Sequence, residues 1–161
     1  MQNVIQPTTM QRWATRGLLG TLALLAVLMI SQPVSAQFWV QDDLIWPQIY
    51  QMLPDLPRAN HYVNRETRQV ATNNTLVGRF IRYHIYTKGR SPFYRLDWKL
   101  TLGDYLGLND RMDESAYPSR IQLRINPMDQ DIEEIRKLNR VQRDALVNAL
   151  VQVATQLAAQ R

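Results

Sequence analysis

Cysteine is absent from all 161 residues. No disulfide can staple the fold, and no thiolate can act as nucleophile or metal ligand. Histidine is nearly as scarce. His61 and His84 are the only two, and without another soft ligand they do not make a zinc site. Internal repeats and low-complexity tracts are missing. Charge is moderate: residues 37–161 hold 17 Lys and Arg against 14 Asp and Glu, an excess of three. A strong nucleic-acid binder carries a denser basic patch, so nucleic acid is not an expected partner. After the N-terminal segment no stretch is apolar enough to span a membrane, which takes about 20 residues.

That segment has the three parts of a secretory signal peptide. Arg12 and Arg16 give a positive start. Gly17 to Ile30 is an uncharged apolar run, interrupted only by Gly20 and Thr21. Ser31-Gln32-Pro33-Val34-Ser35-Ala36 then supplies a helix-ending proline and small residues at the −3 and −1 positions of a cleavage site. The two arginines are not adjacent, so the signal is not of the twin-arginine kind. Lacking cysteine, it is not a lipoprotein signal. Residues 1–36 are therefore expected to direct export and 37–161 to form one mature domain, with an uncleaved N-terminal anchor as the alternative.

The mature chain opens on a helix signal. Asp42 and Asp43 precede Leu44-Ile45-Trp46-Pro47, acids favour a helix N-terminus, and Ile45, Ile49 and Met52-Leu53 follow at helical spacing before Pro54 and Pro57. This predicts a helix near 43–53. Residues 58–74 are polar and ambiguous, with a turn at Asn73-Asn74. From Leu76 to Leu102 the pattern reads with period two on both sides of Lys88-Gly89-Arg90-Ser91-Pro92. Val77, Ile81, Tyr83, Ile85, Leu96, Trp98, Leu100 and Leu102 share one face. Arg82, His84, Tyr86, Arg95, Asp97 and Lys99 share the other. This predicts a β-hairpin. Arg79 alone sits awkwardly, a cation on the apolar face. Gly103 to Pro118 reads as an acidic loop, and Ile121, Leu123 and Ile125 as a third strand ending at Asn126-Pro127. From Asp131 onward the chain is helical, with Asn139 as the cap of a second helix striped by Val141, Leu146, Leu150, Val153 and Leu157. The expected fold class is α+β: a small antiparallel sheet of about three strands, an N-terminal helix, and a C-terminal helix packed on the sheet.

Thr101-Leu102-Gly103-Asp104-Tyr105-Leu106-Gly107, the acidic loop after it and the Val141-Gln142-Arg143-Asp144-Ala145-Leu146 helix resemble uncharacterised exported proteins of cyanobacteria. The resemblance implies periplasm or thylakoid lumen. It brings no site residues.

The polar face of the hairpin is the candidate binding surface. Arg82, His84, Tyr86, Arg95 and Lys99 mix cations with aromatics, and arginine forks onto carboxylate or phosphate. The leading expectation is an exported, non-enzymatic accessory protein that engages an acidic protein or a membrane surface, the latter peripherally. One alternative is a small extracytoplasmic hydrolase with His84 as base oriented by Asp97. Another is a structural subunit tethered through an uncleaved N-terminus. No cofactor is expected. Asp104, Asp110, Asp113 and Glu114 do not fall at calcium-loop spacing, so no metal is expected either.

Overall fold

The computed structural model describes residues 42–160, and the expected export segment, residues 1–36, lies outside them. Five helices follow in order: α1 Asp42–Met52, α2 Leu76–Arg82, α3 Arg95–Leu106, α4 Met128–Lys137 and α5 Arg140–Ala159. Helix α2 runs into a π-helical turn, Tyr83–Thr87, and a single 3₁₀ turn spans Glu114–Ala116. Among the described residues there is no β-strand. Two isolated antiparallel bridges, Val63 with Val70 and Asn64 with Leu123, are the only extended pairing. The α+β expectation is overturned, and the domain is helical.

The predicted hairpin is a helix–turn–helix. Its apolar residues also satisfy the helical period, and packing selects that one. On α2 the buried apolar side chains are Leu76, Val77, Phe80 and Ile81, spaced one, three and one apart. On α3 it is Trp98, Leu102 and Tyr105, with Thr101 among them. Leu96 and Leu100, expected beside Trp98 on an inward sheet face, are 67% and 39% exposed. The third predicted strand is a turn: the Leu123 N–H reaches the Ser119 carbonyl at 2.9 Å, which buries Leu123 and leaves Ile121 and Ile125 in solvent.

Local chemistry sets the helix ends. The Thr75 hydroxyl accepts from the Gly78 N–H at 3.2 Å and caps α2. Gly107, at φ 72°, ends α3 in a Schellman motif: its N–H bonds the Asp104 carbonyl and that of Leu108 bonds the Gly103 carbonyl. The first part of the predicted loop, Gly103–Gly107, is thus the last turn of a helix and its stop signal. Asn139 caps α5 as expected, through a capping box with Gln142. The first helix lies where its acids placed it, at 42–52. Pro47 sits beyond the first turn and leaves the Asp43 carbonyl without its usual helical donor.

Helix α1 packs on α2 and α5, and α3 packs on α2, α4 and α5 directly or through the shared core. At Gly78 a Cβ would stand 3.2 Å from both Arg82 Nη2 and the Thr75 hydroxyl, and at ordinary contact, 3.5 Å, from the Trp46 ring of α1. Ile45, Ile49, Phe80, Trp98, Leu146 and Leu150 fill the centre. A column of rings crosses it, with Phe80 near-parallel to Trp98 at 5.9 Å and Trp98 stacked on His84 at 3.5 Å.

Candidate functional site

Two polar clusters lie inside this apolar core. In the first, Arg79 of α2 meets Asp131 of α4, both fully buried, with Nε to Oδ2 and Nη2 to Oδ1 each at 2.6 Å. Nη1 donates to the Asn74 carbonyl and, at 3.0 Å, to Asn74 Oδ1, and Nη2 also donates to the Ala59 carbonyl at 2.9 Å. All five guanidinium protons therefore have acceptors. The Tyr117 hydroxyl donates to Asp131 Oδ2 at 2.7 Å and lies 2.8 Å from the Tyr105 hydroxyl. The Arg79 guanidinium sits 5.1 Å from the centre of the Tyr62 ring. Burial pushes the Asp131 carboxyl up, while bonds from Arg79 and Tyr117 pull it down. With every guanidinium proton aimed at an oxygen, the ionised pair is the state that fits the geometry. Burial likewise raises the Tyr105 and Tyr117 phenols far above their ordinary value.

The second cluster is built on the π-helical turn, which turns both Tyr83 and His84 inward. His84 Nε2 lies 3.0 Å from the Ser91 carbonyl, so that nitrogen carries the proton. Nδ1 is then an acceptor, 2.7 Å from the Thr101 hydroxyl, which itself accepts from Arg90 at 2.8 Å. Arg90 continues to Asp104 at 2.6 Å. Asp104 also accepts from Asn109 at 2.7 Å, from the Asp110 N–H at 3.0 Å and from Tyr83 at 3.3 Å. Lys88 closes the outer end on Asp110 at 2.6 Å. Burial lowers the His84 pKa to about 4, with Arg90 adding to the effect and the Ser91 carbonyl, Asp97 and Asp104 opposing it. A neutral imidazole with both nitrogens engaged is a structural member of this chain of bonds.

The five residues expected to form one binding face are divided among three places. His84 is fully buried and cannot meet a partner. Arg82 ion-pairs with Asp42 of α1 at 2.8 Å, and exposed Tyr86 lies within the field of both. Arg95 and Lys99 share the face of α3 that meets α5, at 3.2 and 3.7 Å from Asp144. No sheet gathers them, because there is no sheet. No hydrogen bond joins His84 to Asp97, and the two His84 nitrogens are occupied by Thr101 and Ser91 instead.

What remains open is a basic arm that the sequence left as ambiguous loop. Residues 62–71 fold back on themselves: the Asn64 N–H bonds the Gln69 carbonyl and that of Ala71 bonds the Tyr62 carbonyl, each at 2.8 Å. Asn64 Oδ1 accepts from the Glu66 and Thr67 N–H groups and shapes the turn between. The 119–125 turn is bound alongside, Arg65 N–H to the Gln122 carbonyl at 2.8 Å and Arg124 N–H to the Val63 carbonyl at 3.0 Å. The paired segments carry Arg65, Arg68, Arg120 and Arg124, all exposed, against the single acid Glu66. None of the four arginines forms an ion pair among the described residues, whereas Arg79, Arg82, Arg90 and Arg95 all do; exposed Arg58, Arg111, Arg136 and Arg140 form none either, but they lie outside these paired segments. Between them stand Val70, Ile121 and Ile125, 51%, 75% and 70% exposed. A groove of about 460 Å³ beside the arm is lined by His61, Val63, Arg124, Ile125 and Asp129, among others. The legible signal was arginine recurring in 58–74 and 119–125, where no pairing pattern consumed it.

No protein-family model matches the chain, and neither a curated protein nor a solved structure resembles it.

Proposed function

We propose that this chain is an exported, non-enzymatic binding protein that engages an anionic surface through its arginine arm. One observation carries the reading: four exposed arginines without an ion pair are gathered on two segments that backbone bonds from Arg65 to Gln122 and from Arg124 to Val63 hold together, and the same segments carry exposed aliphatic side chains. Such cations attract an oppositely charged partner and speed its encounter. The interior supports the non-enzymatic part. His84 and Asp104 have every polar atom engaged by neighbours in the fold. Nothing in the geometry favours the hydrolase alternative. Export to periplasm or lumen rests on the reading of residues 1–36 and on the resemblance to cyanobacterial exported proteins.

The test is capture of detergent-free membrane vesicles of the host, with their embedded proteins, by the immobilised chain at low and high salt. The unaltered chain is expected to retain vesicles that high salt releases, since exposed charge contacts are screened. The triple variant Arg68→Gln, Arg120→Gln, Arg124→Gln is expected to lose them. Arg95→Ser with Lys99→Ser, which removes cations already paired with Asp144, is expected to keep them. Equal capture by the arm variant and the unaltered chain would overturn the proposal.

A further inference from the structure

We infer that the anionic surface met by the arm is a lipid bilayer bearing acidic headgroups, with Ile121 and Ile125 seated at the headgroup–acyl boundary. This deepens the proposed function and rests on it. Three observations favour lipid over an acidic polypeptide. Ile121 and Ile125 lie four residues apart in the 119–125 segment, project into solvent at 75% and 70% exposure, and each follows an arginine, Arg120 and Arg124. Projecting aliphatic tips between cations suit an interface where apolar groups sink a few ångströms and arginine meets phosphate. A protein hot spot is typically an aromatic or arginine anchor seated in a well-packed pocket, and the only aromatic of the arm's outer surface is His61, stacked on Tyr62 at 4.6 Å. The neighbouring groove, where a peptide would lie, carries Arg124 and Asp129 together on its wall and so offers no charge excess to a carboxylate-rich segment. Among the described residues no helix is long and apolar enough to cross a membrane, so contact through this unit is peripheral.

The experiment is flotation of the full chain with vesicles of phosphatidylcholine alone and of phosphatidylcholine with an equal part of phosphatidylglycerol. The N-terminal apolar run is common to every variant, so the comparison that matters is between variants on the same vesicles. Arg68→Gln, Arg120→Gln, Arg124→Gln together are expected to weaken binding to the anionic vesicles by on the order of a hundredfold at low salt. Ile121→Ser with Ile125→Ser is expected to weaken it at every salt concentration while keeping the salt dependence. Because the chain has no cysteine, Ile125→Cys carries a single environment-sensitive dye. Its emission is expected to shift blue on anionic vesicles, and that of Val141→Cys at the start of α5 is not.

Anionic-vesicle binding that is the same for the arginine variant and the unaltered chain, or a dye at position 125 that stays in water, overturns the lipid inference. A poly-glutamate column then separates the two levels. Loss of retention by the arginine variant leaves the anionic-surface reading standing without lipid. Unchanged retention removes both.

Discussion

Arg79 and Asp131, fifty-two positions apart in sequence, meet through two parallel bonds of 2.6 Å in a site that excludes solvent. The pair ties α2 to α4, and through Tyr117 and the Asn74 and Ala59 carbonyls it draws two loops onto the same point.

Removing one partner of a buried pair strands the other charge. Arg79→Met is expected to destabilise the domain by about 3–5 kcal/mol, and Asp131→Leu by a similar amount. The double variant is expected to recover a large part of that loss, because it leaves neither charge behind. Urea unfolding followed by circular dichroism checks all three. A double variant as unstable as the sum of the singles would show that the network acts through Asn74 and Tyr117 rather than through the ion pair.

Stability is expected to depend on pH through His84. The folded protein holds this proton more weakly than the unfolded chain, with a pKa near 4 against an ordinary 6.5. The unfolded state therefore binds more protons between those values. The contribution is complete above pH of about 6.5 and is lost as pH falls toward about 4, a change of about 3 kcal/mol. Unfolding midpoints of the unaltered chain and of His84→Gln across this range read it directly. The difference between the two should shrink as the pH drops, because the carboxylates titrate alike in both.

The helical register of 95–106 predicts opposite fates for two residues that a strand would treat alike. Leu96→Lys, at a solvent-facing position, is expected to change stability by no more than about 0.5 kcal/mol. Trp98→Ala is expected to cost about 3–5 kcal/mol, since Trp98 is fully buried between Phe80 and His84 and donates its N–H to the Pro92 carbonyl at 2.9 Å. Thermal melts of both variants make the comparison.

The elements that sequence placed well are those whose signals are local. Asp42 and Asp43 announce α1, and Asn139 with Gln142 three residues on announces α5. Each signal acts through backbone groups of its own first turn, so neighbours cannot change its meaning. The stretch 76–102 had no such fixed marker. Leu76, Val77, Phe80 and Ile81 fit a helix face, while Val77, Ile81 and Tyr83 also fit a strand, and Leu96 to Leu102 alternates almost without fault. The Gly107 stop was visible, but as a loop glycine rather than a helix end.

The same holds for the polar residues. Arg79 on an apolar face was legible as an anomaly, and its explanation, Asp131, lies on another helix and could not be found by spacing. His84, Arg95 and Lys99 looked like one surface only while a sheet was assumed. By itself the sequence determined the cysteine-free chemistry, the acidic first turn of α1, the cap of α5 and the locations of the arginines. Tertiary structure decided which period the central stretch obeys, because only packing of Trp98 and Tyr105 against Phe80 makes the helical face the one worth burying. It also decided which arginines are consumed in ion pairs and which, the four of the arm among them, remain facing solvent, since that depends on where carboxylates distant in the chain come to rest.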